Sequence, residues 1–567
     1  MANRNFLAVV IAVVATVVAG PFGGPLGSFA GKLGAALSGG ALGAKFGSFI
    51  IRAALGLAQA NMMQQKVPAR GYKVTQRGTA LDHQIIYGRT KAAGAIVFDA
   101  TSGSSNKYLH RVLAFTGHEI EEFEEVWLND YKLTLNSSGE VTSATNDGGT
   151  TTTTRYNGYI RVNKHLGTDG QLADGDLIGI GSWNSNCRLR GVAYLYVRLK
   201  FDAEVYPNGI PEVQAVIKGK KVYDPRKDST SNEYDSSLGV SSHRSNDSTT
   251  WQFSSNPALC IRDYLTNSRY GLGESSTYVD DALVHAAADA CDRSSTGGNF
   301  FTLNGAFTTG VQPVDVIQDL LTTMGGTLWY GQGKWRMKAA VWSNPTLTLN
   351  EDDLRSELTV ATRHSGRDNF NVIKGTWRGQ DSEWQTTDFP EYKVAQAITD
   401  DGGFENVQDI DLAFTTTVNE AQRIARINYE RNREQLTVTA TFGLRAFQCQ
   451  VGDFIQFDYA RMGWTSGSPK YWEVVDWNFG LSDLQLVVEM TLREISATVF
   501  DEVSNYAVYE KNNTSLASPF ETESVTLASP VLSSSINGDG TVVPKIRWTW
   551  SVTDESAVDY YIFGWRI

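Results

Sequence analysis

The chain has 567 residues, 41% of them hydrophobic and 20% charged, with 53 Gly, 25 Phe, 23 Tyr and 14 Trp. This length is too great for a single hydrophobic core, and the aromatic, glycine-rich composition favours β-structure with long loops. The net charge of −12 is uneven, since residues 1–66 hold five basic and no acidic side chains and the remainder therefore carries −17. An acidic body argues against sequence-reading nucleic-acid binding, which needs a basic footprint.

The N-terminal segment is the most apolar part of the chain. Residues 6–31 carry no charge, Phe6 to Ala19 is almost entirely apolar, and glycines then recur at every fourth position. This small-x-x-x-small spacing lets helix backbones approach closely, as in membrane helix pairs. We expect two helices, at about residues 5–19 and 32–60, that lie in a channel and later meet a host membrane. The positions that define this segment are Phe6, Val10, Val14, Gly20, Gly24, Gly27, Gly31, Gly39, Gly43 and Gly47.

Two other interpretations of this segment remain open. Arg4, the apolar run and Val17-Val18-Ala19 together are typical of a signal peptide with its cleavage site. The segment could equally form a buried apolar helix pair with no role at a membrane.

From Tyr72 the pattern changes to short strands separated by turns. Strands are expected at Gln84–Arg89, Gly94–Phe98, Tyr108–Phe115, Val126–Tyr131, Tyr159–Val162 and Gly191–Leu199. The stretch Tyr206–Arg226 then predicts a turn, a strand at Val213–Ile217, a tight reversal over Lys218-Gly219-Lys220, and a returning strand at Lys221–Tyr223. From physical patterning alone this stretch is a β-hairpin.

The middle of the chain predicts helices. Pro at the first helical position starts helices at Pro257 and Pro313, and an alanine-rich helix is expected at Asp280–Cys291. Thr417 and Glu420 have the spacing of a capping box before another helix, whose Arg423, Arg426 and Arg431 are expected to face solvent. A hairpin at residues 327–338 and strands at Phe370–Trp377, Gln435–Phe442, Gln450–Phe457, Lys470–Val475 and Leu484–Arg493 complete a second β-region.

The C-terminal residues begin a further β-pattern. Arg547–Trp550 and Tyr560–Trp565 resemble the first strands of a fibronectin type III domain, which needs about 90–100 residues. About 40 residues are present after Ser529. We therefore expect the sequence to stop inside a domain.

The stretch Tyr206–Arg226 also contains a specific sequence motif, G-x-P-x-x-x-A-x-x-x-G-K-x-V-Y-D-P-R. It is carried by Gly209, Pro211, Ala215, Gly219, Lys220, Val222, Tyr223, Asp224, Pro225 and Arg226. The chain resembles here the central tail hub proteins of long-tailed phages, the lambda-like tip attachment protein J family. Residues 256–273, the V-W-L-N-D strand end at Val126–Asp130, and the V-G-D and W-E-V-V strings of the second β-region are similar to the same family.

The resemblance implies a mainly β fold with α+β insertions and two hub β-barrels. The resemblance covers about residues 72–505, and the long apolar leader departs from the common hub pattern. Together with the patterns above, the expected domains are a helical leader (1–66), a first barrel region (67–225), an α+β insertion (226–345), a second barrel region (346–505), a linker (506–528) and a truncated fibronectin type III-like domain (529–567). The resemblance further implies a homotrimeric ring at the tail tip of a virion, assembled in the host cytoplasm. The implied partners are the distal tail ring protein, the tape measure protein and a receptor-binding fibre. The apolar leader adds the host membrane as an expected partner, and the acidic body suits the passage of DNA without sequence-specific binding.

The sequence contains no motif that is typical of a catalytic site. The seven histidines and four cysteines form no metal-ligand spacing, and G-x-S-x-G, P-loop and dinucleotide-binding motifs are missing. We accordingly expect no catalytic residue, no cofactor and no metal. The rival hypotheses are a secreted or surface-anchored bacterial adhesin, whose mature chain would begin near Gly20, and a wall-degrading enzyme of the tail tip.

Overall fold

The structure is a computed structural model that describes residues 49–51 (backbone), 74–78, 81–146, 149, 151–296, 298–363, 369–482, 485–502, 506–510 and 526–551. The chain divides into two compact units, Met1–Tyr509 and Glu510–Ile567. In the part of the chain that is described, strands greatly outnumber helices, so the expected mainly β class is confirmed.

Strands β1 to β12 come first in the chain; β3 to β12 build the first β-region, whereas β1 and β2 pair with strands further along the chain. They are β1 (Phe49–Ile51), β2 (Gln84–Tyr87), β3 (Arg89–Ala93), β4 (Ala95–Ser102), β5 (Tyr108–Thr116), β6 (Glu122–Leu128), β7 (Tyr131–Leu135), β8 (Val141–Asn146), β9 (Thr152–Thr153), β10 (Ile160–His165), β11 (Ala193–Lys200) and β12 (Val213–Lys218). A six-stranded sheet has the order β3-β12-β6-β7-β8-β9, and a four-stranded sheet has the order β10-β11-β5-β4. Their apolar side chains form one core, which includes Leu113, Phe115, Val126, Leu195 and Ile217.

An α+β region follows. It comprises β13 (Lys221–Val222), β14 (Gln252–Phe253), α1 (Pro257–Thr266), α2 (Asp281–Asp292), β15 (Ser294–Ser295), β16 (Gly298–Asn299), β17 (Gly305–Thr308), α3 (Pro313–Thr322), β18 (Thr327–Gly331) and β19 (Lys334–Lys338). Asn256 caps α1 by accepting a hydrogen bond from Ala258 N, and Pro257 occupies the first turn, so this helix begins as its sequence predicts. All residues of α1 from Pro257 to Leu265 are buried, which places the helix at the centre of the largest core.

The second β-region contains the remaining strands of the first unit and two helices. They are β20 (Leu347–Leu349), β21 (Thr359–Ala361), β22 (Val372–Trp377), β23 (Thr387–Asp388), β24 (Tyr392–Lys393), α4 (Ala395–Asp400), β25 (Val407–Asp411), α5 (Val418–Arg433), β26 (Thr437–Phe442), β27 (Phe454–Phe457), β28 (Tyr471–Ser482) and β29 (Gln485–Ile495). A six-stranded sheet of order β20-β27-β28-β29-β26-β21 curls into a half-barrel around its own core, which includes Phe442, Phe457, Trp472 and Leu492. Strict alternation of buried and half-buried side chains in β26 confirms the period-2 prediction.

The second unit contributes four described strands. β30 (Thr526–Leu527) pairs with β33 (Trp550–Ser551), and β31 (Val531–Ile536) pairs antiparallel with β32 (Val542–Arg547). The strand expected at Tyr560–Trp565 lies outside the described residues.

Three sequence-based expectations differ from the structure. Phe49–Ile51 is a strand and not part of the helix expected to reach residue 60, because its backbone pairs with β18 and adds a third strand to the β18–β19 sheet. The stretch left between the expected strands at Gln84–Arg89 and Gly94–Phe98 is instead strand β3, which pairs with β12. The hairpin expected at Val213–Tyr223 does not form, because β12 pairs with β3 and β6 whereas β13 pairs with β14.

Candidate functional site

The motif Gly209–Arg226 runs from the first sheet into the α+β region. β12 is a central strand with β3 on one side and β6 on the other, and its Ala215 and Ile217 are buried. Gly209 has a φ of +87°, and its N–H donates to Tyr206 O at 3.1 Å, so the predicted turn before β12 is present. Pro211 is buried, two residues before β12 begins.

Gly219 and Lys220 do not reverse the chain, because their backbone N–H groups bond to the neighbouring segment. Gly219 N donates to Gly88 O at 2.8 Å and Lys220 N donates to Ile86 O at 2.9 Å. A Cβ added at Gly219 would lie 2.2 Å from Ile86 O, so only glycine fits this approach. The segment therefore continues past β2 towards the helices.

Arg226 is the electrostatic centre of the motif. Its side chain is only 4% exposed and contacts three carboxylates: Asp224 at 2.9 Å, Asp289 at 2.8 Å and Asp292 at 2.9 Å. Burial by itself lowers the pKa of Arg226, but the hydrogen bonds and charge of Asp224 raise it above its ordinary value. Because Asp289 and Asp292 belong to α2, Arg226 ties the end of the motif to that helix.

Asp224 and Tyr223 complete this junction. Asp224 caps the short helical turn Pro225–Lys227 by accepting from Arg226 N at 3.0 Å. The hydroxyl of Tyr223 donates to Asp228 Oδ2 at 2.9 Å, and the guanidinium of Arg262 lies 4.6 Å from the Tyr223 ring centre. The motif residues thus hold a loop and helix α1 in addition to α2. We call Tyr223, Asp224, Pro225 and Arg226 the junction.

Helix α5 carries contacts that the sequence interpretation missed. Thr417 makes no capping hydrogen bond, so the predicted capping box is wrong; Glu420 instead accepts from Thr302 N at 2.5 Å and from Thr302 Oγ1 at 2.8 Å. Arg423, expected in solvent, is 3% exposed and donates to Phe300 O at 2.5 Å. Glu420 and Arg423 are three residues apart and therefore lie on one helix face. This spacing is the sequence signal that both side chains could contact the same neighbouring segment.

The predicted leader residues from Phe6 to Gly47 lie outside the described residues. Within the described ranges, no helix is long and apolar enough to cross a bilayer. The same described residues contain no group of three or more His, Cys, Asp or Glu side chains placed to hold a metal ion.

Comparison with known proteins places the chain in context. Residues 312–467 match a family described as putative phage tail protein. The chain is 22% identical over 443 residues to baseplate hub protein pb3 of Escherichia phage T5, covering 67% of this chain and 44% of that protein. It is 25% identical over 286 residues to tip attachment protein J of Escherichia phage SECphi27, covering 46% of this chain and 22% of that protein. The chain is a homologue of the phage tail hub proteins.

One solved structure supports the same fold. A chain in the virion of a native gene transfer agent particle superposes with a TM-score of 0.54 at 13% identity, covering 85% of this chain and 99% of that chain. At 13% identity this likeness bears on the fold alone. This homologue of the tail hub proteins spans less than half the length of the curated relatives that it matches.

Proposed function

We propose that this protein forms the central hub of a phage tail tip, as a homotrimeric ring below the tail tube. The observation that carries the proposal is the presence of two separate sheet-lined cores in one copy, beside the similarity to hub proteins. Each copy contributes its first and its second β-region, so three copies supply six β-regions to the ring. Such a ring would adapt a sixfold tube to a threefold tip.

In this proposal the first and second β-regions are the two hub barrels, and the α+β region between them in the chain is an insertion. The junction supports this organisation because Arg226 and Tyr223 fix the end of the first β-region to helices α1 and α2. A hub that bears load during attachment needs its bodies held at fixed orientations. Buried ion pairs that span elements are suited to that, since their geometry is specific.

The charge of the chain fits a channel for DNA. Residues 67–567 carry a net charge of −17, and a like-charged wall does not retain a phosphate backbone. We propose that DNA passes the ring without sequence-specific binding. The distal tail ring, the tape measure protein and a receptor-binding fibre are the proposed neighbours, and the virion tail tip is the proposed location.

The uncharged segment 6–31 is proposed to enter or open a host membrane during genome delivery. Its glycine spacing and lack of charge support this role. A peptide of residues 1–66 should release dye from liposomes, with a peptide in which Gly20, Gly24, Gly27 and Gly31 are replaced by Asp as the control. An inert, water-soluble 1–66 peptide would contradict this part of the proposal.

Electron microscopy of the particle tests the ring. We expect a threefold density below a sixfold tube, and antibody to this chain should label that density. A tip without threefold symmetry, or labelling elsewhere on the particle, would overturn the proposed function.

A further inference from the structure

A polar cleft of about 250 Å³ opens beside the junction, between the loop that follows the junction and helices α1 and α2. Its floor consists of Tyr223, Asp228 and Arg262, each at most 5% exposed, and of Asp281 at the start of α2. Pockets for drug-sized ligands have roughly 300–1,000 Å³, so this cleft has room for one small unit. The free donors and acceptors of the lining groups decide which small unit fits.

Arg262 brings an unused hydrogen-bond donor to the floor of the cleft. Its Nε donates to Asp281 Oδ1 at 2.7 Å, and its Nη2 donates to Asp281 Oδ2 at 3.0 Å. Among the described residues, Nη1 of Arg262 has no hydrogen-bond acceptor. Arg262 is only 4% exposed, and buried polar groups are nearly always paired because an unmade hydrogen bond is costly. Nη1 is therefore placed to donate to a bound molecule.

Asp228 adds an acceptor to the same floor. Its Oδ1 accepts from the backbone and the hydroxyl of Thr230 and from Arg244. Among the residues that the structure describes, its Oδ2 accepts only from Tyr223 OH, at 2.9 Å. A carboxylate oxygen accepts about two hydrogen bonds, so Oδ2 has one position left. The floor thus offers both a donor and an acceptor to a ligand.

The rim of the cleft carries groups that both donate and accept. They are the hydroxyls of Thr230, Ser231, Ser245 and Ser276 and the side-chain amide of Asn232. A ligand with several hydroxyls matches such a rim, because each hydroxyl is itself both a donor and an acceptor.

The charges of the cleft disfavour ionic ligands. Arg262 pairs with Asp281 at 2.7 Å, and Arg244 pairs with Asp228 at 3.1 Å, so the positive and negative groups balance. An anion would meet two carboxylates, and a cation would meet two guanidinium groups. An apolar molecule would leave the polar floor without water or partners. The cleft therefore selects a small neutral molecule with donors and acceptors of its own.

A sugar ring and a peptide amide both meet that description. A peptide brings apolar side chains as well, and every side chain that lines the cleft carries a polar group. A sugar ring instead carries hydroxyls on adjacent carbons, so that one can accept from the floor while its neighbour donates to it. The lining therefore favours the sugar.

We infer that this cleft binds one sugar unit, with Arg262 Nη1 donating to one hydroxyl and Asp228 Oδ2 accepting from its neighbour. This binding activity goes beyond the proposed structural role and does not depend on the ring. The occupant is either a free sugar or one unit of a glycan, since both present the same hydroxyls.

Saturation-transfer NMR on the full-length chain tests the cleft. The probes are glucose, galactose, mannose and N-acetylglucosamine, each as the free sugar and as its methyl glycoside. We expect transfer to at least one of them, with weak affinity because a small ligand makes few contacts. Equal transfer to a sugar and its methyl glycoside indicates a glycan unit, whereas transfer to the free sugar alone indicates a small-molecule ligand.

A paired substitution at the rim, Ser245→Leu with Ser276→Leu, should weaken that binding at least about tenfold, because it removes two hydroxyls and fills the cleft with apolar groups. Both serines are exposed, so folding should be unchanged in circular dichroism and thermal melting. Ser236→Leu with Ser248→Leu is the matched control, since these two serines are also exposed between β13 and β14 but do not line the cleft. The control should bind as wild type.

Three results would overturn the inference. They are transfer to none of the sugars, equal binding by the Ser245 and Ser276 double variant, and transfer to N-methylacetamide in place of the sugars, which would assign the cleft to a peptide. A particle with a threefold hub whose protein binds no sugar would refute this inference and leave the proposed function standing.

Discussion

The side-chain amide of Gln422 forms two hydrogen bonds with the backbone of Ala507: Nε2 donates to Ala507 O at 2.7 Å, and Oε1 accepts from Ala507 N at 2.9 Å. The segment just before Ala507 is held by the same helix, since Arg426 donates to Thr498 O at 3.0 Å and Arg423 pairs with Glu502 at 3.4 Å. Helix α5 therefore holds Thr498, Glu502 and Ala507, which lie shortly before the second unit in the chain.

Replacing Gln422 with Ala should loosen this segment. Ala507 is exposed, so water can replace the lost partner, and the variant should lose about 0.5–1.5 kcal/mol for each of the two hydrogen bonds. We expect faster hydrogen exchange and faster proteolysis within residues 496–510, without global unfolding. Gln396→Ala removes an exposed glutamine that bonds to Asp400 on α4 and should leave those rates unchanged. Equal rates in the Gln422 variant and the wild type would contradict the role of this contact.

Arg226→Ala should strongly destabilise the first unit. Removal of the guanidinium leaves the buried carboxylate of Asp224 without its partner, which typically costs about 3–5 kcal/mol. Denaturant unfolding followed by tryptophan fluorescence measures the change in the free energy of unfolding. Arg445→Ala, which breaks a pair with Asp353 through a side chain that is 49% exposed, should cost about 0–1 kcal/mol. Similar losses in the two variants would show that Arg226 is not a central contact.

Gly219→Ala tests the close approach between the motif and β2. The new methyl group would lie 2.2 Å from Ile86 O, and the required backbone shift should lower stability by about 1–3 kcal/mol or more. Gly467→Ala is the control, because its nearest neighbour would be 3.9 Å away and its φ is not positive. A thermal midpoint for Gly219→Ala within experimental error of wild type would rule out the steric requirement.

Glu420 should give the stability of the first unit a specific pH dependence. Burial raises the pKa of Glu420 from 4.5 to about 7, even though hydrogen bonds from Thr302 lower it. The folded state therefore binds a proton more tightly than the unfolded state, and stability falls as the pH rises from 4.5 to 7 and is level above that range. The shift corresponds to roughly 3 kcal/mol between those limits.

Substitution of Glu420 by Gln should remove this slope. The variant should match or exceed the wild type in the free energy of unfolding at pH 8, while the two should be similar at pH 5. Glu357→Gln, at an exposed carboxylate, should leave the slope as it is in the wild type. A wild-type slope that persists in Glu420→Gln would assign the titration to another group.

Local signals in the sequence predicted most elements but not their partners. Asn256-Pro257 gave the start of α1, and the alternation of Gln435–Phe442 gave β26, because both depend on residues close in sequence. The pairing of β12 depends on β3 and β6, which are far away in the chain, and no property of Gly219-Lys220 alone distinguishes a turn from a close backbone approach.

The site was predictable to a similar extent. The residue pattern of the motif indicates the family. It does not indicate that Arg226 is buried against Asp289 and Asp292, some sixty residues later in the chain. The general preference of arginine for the surface predicts that the arginines of α5 face solvent, whereas the burial of Arg423 depends on Phe300 and Glu502. Contacts between distant segments decide whether such a side chain is buried, and the periodicity of a single helix does not predict those contacts.

The central position of β12 has a consequence for biosynthesis. The ribosome releases β3 and β6 well before residue 218, and until then the two strands have no common neighbour in their sheet. Nascent chains shorter than this expose strand edges that invite pairing with other polypeptides. Translation past β12 is therefore the step that commits the first sheet to its native arrangement, and chains released earlier should be substrates for chaperones or proteases.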